Sequence, residues 1–247
     1  MADNIRVVVN GAKGRMGAEA VKAVSDAPDM TLVGALDLGD NLSKTIETEK
    51  PDIVIDFTVP DSAFENACII AESTAGGVIG TTGFSTEQIH ELRDKAAMKK
   101  PGVIIAPNFS IGAILMMHCA HIVAHHMPHV EIVEMHHPFK LDAPSGTAVK
   151  TADMMAHAVK DTDVPRGTEE HRSRGEVNQN IPIHSIRLPG YLAHQEVIFG
   201  AEGQTLTIRH DTYNRTCYMP GVLMAVREAI KRGGVTYGLE NILFPGQ

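Results

Sequence analysis

Five short runs rich in β-branched residues punctuate the first 108 positions: Ile5–Asn10, Thr31–Asp37, Asp52–Thr58, Gly77–Thr82 and Val103–Asn108. Stretches of mixed polarity lie between several of them, at Ala18–Asp26, Ser62–Thr74 and Thr86–Lys99. Apolar runs alternating with helix-like segments predict a parallel sheet covered on both faces, because each crossover buries one helix stripe.

The pattern changes after Asn108. A helix is expected over Ile111–His126, a strand over His129–His137 and a helix over Thr147–Lys160. The polar stretch Asp161–Asn180, with Pro165, Gly167 and Gly175, reads as a surface loop. Strands follow at Ile181–Leu188, Gln195–Gly200 and Thr205–Asp211; alternation in the last predicts one covered and one polar face. Pro220–Arg232 reads as an amphipathic helix returning to the first domain. The fold class is therefore α/β, with an N-terminal Rossmann-like domain (residues 1–108, completed by 219–247) and a second α+β domain (109–218) built on a mixed sheet.

Composition narrows the function. The chain has 247 residues, 43% hydrophobic and 21% charged, as an ordinary globular protein does. Its formal charge of −8, with no dense Lys/Arg block, argues against nucleic acid as a partner. No apolar run approaches the roughly eighteen residues of a membrane span. The opening residues read directly as a strand, so no membrane partner and a cytoplasmic location are expected. Cys68, Cys119 and Cys217 stand in apolar surroundings and are expected to be buried thiols.

Immediately after the first strand stands Gly11-Ala12-Lys13-Gly14-Arg15-Met16-Gly17, opening a helix. Such a turn brings backbone amides close to a pyrophosphate at a helix N-terminus. Asp37, twenty residues after Gly17, is placed to accept the ribose hydroxyls of an adenosine. Asp37 repels a 2′-phosphate, whereas Lys13 offers one a compensating charge. NADH is the expected cofactor, with NADPH tolerated. Glu49-Lys50-Pro51 matches a sugar-dehydrogenase tripeptide, but it precedes a strand, where catalytic residues do not sit, and is read as chance.

Thirteen histidines raise the question of a metal. His118, His121 and His125 share one helix face, but no acid accompanies them and apolar neighbours favour packing; no metal is expected. His136-His137 differ. They end a strand in Glu134-Met-His-His-Pro-Phe-Lys140-Leu-Asp-Ala-Pro-Ser-Gly-Thr147. The helix start at Ser145-Gly146-Thr147 offers donors to a carboxylate, Lys140 a point charge and an imidazole a proton near neutral pH.

The run from Glu134 to Ala148 resembles the signature of the dihydrodipicolinate reductases, and Gly80-Thr-Thr-Gly83 and Ala106-Pro-Asn-Phe-Ser-Ile-Gly112 resemble it too. The resemblance spans essentially the whole chain. It implies NAD(P)H-dependent reduction of 4-hydroxytetrahydrodipicolinate, with loss of water, to tetrahydrodipicolinate in diaminopimelate and lysine biosynthesis. By that pattern His136 and Lys140 form the catalytic pair, and His137, Gly146 and Thr147 hold substrate carboxylates. Gly11, Ala12, Lys13, Gly14, Arg15, Met16, Asp37, Gly80, Thr81, Thr82, Ala106, Pro107, Asn108 and Phe109 line the cofactor. It also implies a homotetramer formed through the second domain's sheet. The stretch Arg187-Leu-Pro-Gly-Tyr-Leu-Ala193-His194-Gln195 departs from the Arg-x-Gly and Gly-x-His of many members, so Arg187 and His194 are left outside the assigned site. A dinucleotide-sensing regulator without turnover is the alternative reading. A thioester-forming semialdehyde dehydrogenase fits poorly, because no cysteine lies in a site motif.

Overall fold

The computed structural model describes residues 4–159 and 172–246. Its strands are β1 (Ile5–Asn10), β2 (Met30–Leu36), β3 (Ile53–Asp56), β4 (Gly76–Ile79), β5 (Val103–Ile105), β6 (His129–His136), β7 (Glu176–Asn178), β8 (Ile181–Arg187), β9 (Ala193–Ala201), β10 (Gln204–Thr212) and β11 (Val235–Tyr237). The α-helices are α1 (Arg15–Asp26), α2 (Leu42–Glu49), α3 (Pro60–Glu72), α4 (Thr86–Lys95), α5 (Ile111–Ala124), α6 (Gly146–Met155), α7 (Met219–Lys231) and α8 (Glu240–Leu243). The chain divides into two compact units, Met1–Ile111 with Arg215–Gln247, and Gly112–Asn214.

In the first unit six strands run parallel in the order β11-β5-β4-β3-β1-β2. β2 and β3 flank β1 on opposite sides, so the strand order reverses at the carboxyl ends of β1 and β3, where open α/β sheets bind ligands. Alternate strand residues serve opposite faces. Val8, Val54, Ile79 and Ile105 pack with Leu42 and Ile46 of α2, Ala67 and Ile70 of α3 and Leu92 of α4. On the other side α7 packs on β4, β3 and β5 and beside α1, burying Val222, Ala225, Val226 and Ala229. α7 therefore returns to the first sheet, as its apolar stripe indicates.

The second unit carries a mixed sheet in the order β10-β9-β6-β8-β7; β6 and β8 pair in parallel and the other neighbours are antiparallel. Ile132, Ile183, Val197 and Phe199 from its strands are fully or almost fully buried, as are Ala148, Ala152 and Met155 of α6.

Several expectations need correction. α2 lies where no helix was expected. Its start is capped by Asn41, whose side chain accepts from the Lys44 amide, and its end is Lys50 in the left-handed region at φ 47° rather than a glycine. That explains Glu49-Lys50-Pro51: the Glu49 and Lys50 carbonyls accept from Arg6, so the tripeptide is a helix terminus. β7 occupies part of the stretch read as loop; residues 160–171 lie outside the described residues, including Lys160 at the expected end of α6. α4 stops at Lys95, four residues short of the expected Lys99. β10 is exposed on both faces from Gln204 to Thr207, with Leu206 at 41%, so the covered face that its alternation suggested appears only in its second half, where Ile208 and His210 are partly covered and Arg209 is exposed. None of the three cysteines is buried: Cys119 is exposed, Cys68 and Cys217 are intermediate, and none forms a disulfide.

Candidate functional site

The glycine turn leaves β1 at its carboxyl end. Gly11 has φ +79°, a left-handed conformation that favours glycine. A Cβ on Gly17 would stand 1.9 Å from the Gly11 carbonyl oxygen, so only glycine lets α1 start this close to the strand. Gly14 caps α1 and supplies no side chain to its first-turn amides, and Arg15 and Met16 open the helix without an acid beside them. Those donors are left for an anion. The Ala12 amide donates to the Leu36 carbonyl at 2.8 Å and the Lys13 amide to Asp37 Oδ2 at 2.6 Å, fastening the turn to the end of β2. The Leu38 and Lys13 amides hold the Asp37 carboxyl below its usual range. An ionised acid therefore stands at the tip of the turn, and the cradle fits a dinucleotide.

The other expected cofactor segments follow the next strand ends. Gly80 succeeds β4 and lies against aromatic rings: a Cβ there would meet Phe57 at 2.0 Å and Phe109 at 3.0 Å. Phe57 and Phe109 pack edge to face with centroids 5.8 Å apart. Thr81 Oγ1 donates to the Thr58 carbonyl, exposed Thr82 follows it, and the Ala106 amide donates to the Ile79 carbonyl. Beyond exposed Pro107, Asn108 Oδ1 accepts from the Ser110 amide at 2.8 Å.

Sequence reasoning missed the brace beneath this edge. Asp56, fully buried at the end of β3, accepts from Asn10 Nδ2, Asn66 Nδ2, the Thr58 amide and Thr58 Oγ1 at 2.7–3.1 Å. Burial pushes its carboxyl up against these four donors. The acid in Asp56-Phe-Thr58 was visible only as part of an apolar run.

In the second unit the strand β6 ends at His136, and its period of two puts Glu134 on the same face. Glu134 is fully buried and accepts from His136 Nδ1, from Arg187 Nη1 at 2.9 Å and from Arg187 Nη2 at 2.8 Å. Burial pushes Glu134 up, but hydrogen bonds from His136, Arg187 and Ser185 outweigh it and bring the carboxyl to about 2. Arg187, left out of the expected site, is thus part of it. The Arg-x-Gly pattern points near it, but the departure from that pattern sets it aside; the contact itself arises from parallel pairing of β6 with β8, which sets Arg187 beside His136.

Past the strand, Lys140 Nζ donates to both oxygens of Asp142 at 2.8 and 2.7 Å. That contact leads the causes holding Asp142 below the usual carboxylate range. The His137 ring tilts toward exposed Phe139, centroids 6.4 Å apart. Ser145 caps α6 by accepting from the Ala148 amide at 3.3 Å, which leaves the Gly146 and Thr147 amides outside the cap bond. The space over Gly146 is open, with no atom within 4 Å of a would-be Cβ. The segment from His136 to Thr147 thus carries a lysine held by an acid and a helix start with donors left over, groups that suit a carboxylate.

Three further histidines have contacts of their own. His121 Nδ1 meets the Met154 carbonyl at 2.7 Å and His125 packs edge-on against His121. His194, also left out of the expected site, is buried against Asp211 and lies between Tyr191 and Tyr213. Among the described residues no group of His, Cys, Asp and Glu is arranged to hold a metal, and no helix is long and apolar enough to cross a membrane.

Comparison with known proteins agrees with this layout. Residues 5–109 match the family model for dihydrodipicolinate reductase, N-terminus, and residues 112–243 that for dihydrodipicolinate reductase, C-terminus. A 4-hydroxy-tetrahydrodipicolinate reductase from Coxiella burnetii is 51% identical over 97% of this chain and 99% of its own. One from Moorella thermoacetica is 44% identical over 98% of this chain and 99% of its own. The solved dipicolinate-bound dihydrodipicolinate reductase from Paenisporosarcina sp. TG-14 superposes with a TM-score of 0.87 at 42% identity, covering 97% of this chain and 99% of that one. An amine dehydrogenase from Mycobacterium smegmatis, at 14% identity and a TM-score of 0.61, shares the fold alone. With residues 5–109 and 112–243 matched by its two models, the chain belongs to the dihydrodipicolinate reductase family.

Proposed function

We propose that this protein reduces 4-hydroxytetrahydrodipicolinate to tetrahydrodipicolinate, with loss of water, in the diaminopimelate route to lysine. The observation that carries the reading is the grouping of His136, Lys140 and the uncapped amides of Gly146 and Thr147 in one segment of the second unit. The Paenisporosarcina relative's dipicolinate is a planar dicarboxylate, the ligand class such a segment suits.

A nicotinamide dinucleotide, when bound, supplies the hydride. Arg15 and Met16 offer uncapped helix-start amides to its pyrophosphate, Gly11, Ala12, Lys13 and Gly14 shape the turn that lines it, and Asp37 receives its adenosine ribose. Gly80, Thr81, Thr82, Ala106, Pro107, Asn108 and Phe109 line its path. The ionised Asp37 favours NADH, and the adjacent Lys13 lets NADPH compete.

His137, Gly146 and Thr147 hold the substrate's carboxylates. Hydride arriving at a conjugated imine leaves an electron pair that must take a proton, and His136 and Lys140 handle that proton. Lys140 first leaves Asp142, whose side chain is 60% exposed. An ion pair so open to water is worth about 0–1 kcal/mol, so exchange for a substrate carboxylate costs little. The active form is a cytoplasmic homotetramer assembled through the second unit's sheet. The open first half of β10 supports that assembly, since an edge strand exposed on both faces is a ready surface for a second copy.

The test is oxidation of NADH with substrate generated by the preceding synthase. Rapid oxidation that Lys140→Ala abolishes supports the reading; tight dinucleotide binding without oxidation overturns it in favour of a sensor.

A further inference from the structure

His136 and Lys140 are four residues apart in sequence, yet a longer path of charged contacts also joins them. Glu134, on the same face of β6 as His136, accepts from the imidazole Nδ1 and from both terminal nitrogens of Arg187. Arg187 Nη2 donates in addition to the Asp142 backbone carbonyl at 2.7 Å. The Asp142 carboxylate receives Lys140 Nζ. The series His136–Glu134–Arg187–Asp142–Lys140 therefore links the two groups assigned to proton handling through a residue contributed by a different strand.

We infer that Glu134 and Arg187 are positioning residues for the reaction: Glu134 fixes His136 in the tautomer with its hydrogen on Nδ1, and Arg187 balances the Glu134 charge while tying the Lys140 segment to β8. This rests on the assignment of His136 and Lys140 proposed above.

The tautomer follows from the donor inventory. A carboxylate held near 2 is ionised at any working pH and can only accept, so Nδ1 must carry the hydrogen between them. Nε2 is then the nitrogen that gains and gives up the mobile proton. The same arrangement, a second group fixing the ring of an acting imidazole, recurs wherever histidine must act through one defined nitrogen. Glu134 could not do this alone. It is buried with no exposed surface, and a lone buried carboxylate is costly without a paired cation. Arg187 meets that need with a two-pronged contact, and its third anchor on the Asp142 carbonyl fixes where the Lys140 segment leaves the sheet.

The decisive readout is the ¹⁵N shift pattern of the His136 imidazole in histidine-labelled protein, measured beside kcat and KM for wild type, Glu134→Gln and His136→Gln. Wild type is expected to show Nδ1 protonated and Nε2 bare when neutral. Glu134→Gln, which keeps the shape and removes the charge, is expected to lose that preference and to lower kcat about 100-fold. Its KM for the dicarboxylate and its NADH affinity should stay within about twofold of wild type, since only an orienting contact is lost. A wild-type imidazole bearing its hydrogen on Nε2 overturns the inference even if Glu134→Gln fails to fold. So does a folded Glu134→Gln enzyme with wild-type kcat while His136→Gln is inactive. Undiminished turnover in His136→Gln would instead overturn the assignment on which the inference rests.

Discussion

At the scale of single residues, the two halves of the proposed chemistry respond separately to substitution. His136→Gln removes a proton-transfer group and is expected to lower kcat by about 10²–10⁴-fold, with dinucleotide affinity unchanged by fluorescence titration. Lost dinucleotide binding would contradict its role. Asp37→Ala is expected to weaken NADH more than NADPH, because an acid fastened by the Lys13 and Leu38 amides favours a free 2′-hydroxyl over a 2′-phosphate. Equal losses for both would remove the ribose contact from the account. The residues in these tests were legible because each lies in a short string with local meaning: glycines bending the chain, an acid at a strand end, His-His-x-x-Lys before a helix start. Arg187 was legible only as a broken family pattern, and its partner was not. It lies 53 residues from Glu134, and only strand pairing brings the two together.

At the scale of elements, α1, α3 and α7 could be read because a helix on a sheet needs an apolar stripe, and each is long enough to show one. The eight-residue α2 has few apolar positions and no terminal glycine. β7 and β11 have three residues each, too few for a period of two to register. The cysteines were misjudged for a related reason: an apolar neighbourhood in sequence does not say which way a helix turns, and α5 turns Cys119 outward with Leu115 and Ile122. The turn between β1 and α1 yields a sharper expectation. Gly17→Ala drives a methyl group into the Gly11 carbonyl and should cost about 1–3 kcal/mol by thermal or urea denaturation, with dinucleotide binding impaired. An unaltered Tm would show that the helix start yields more easily than its geometry indicates. Arg227 and Asp29, by contrast, join α7 to the β2 approach through exposed side chains. Arg227→Ala should cost less than about 1 kcal/mol.

At the scale of the whole molecule, Glu134 couples the site to acid stability. Its carboxyl sits at about 2 in the folded protein against an ordinary 4.5. Above the ordinary value both folded and unfolded chains carry the charge, and the stabilisation, of order 3 kcal/mol, is complete. As pH falls from about 4.5 to 2 the unfolded chain takes up its proton first and that contribution disappears. Urea midpoints should therefore drop more steeply over this window in wild type than in Glu134→Gln; parallel curves would contradict the linkage. Sedimentation should give a mass near four times 26.6 kDa if copies join through the second sheet. The proposed pairing of His136 and Lys140 for proton handling is decided by NADH oxidation on enzymatically supplied substrate, followed in wild type and Lys140→Ala side by side. Oxidation should be fast in the first and at least about 100-fold slower in the second, with NADH still bound. Equal rates in the two proteins, or none in wild type, would contradict it.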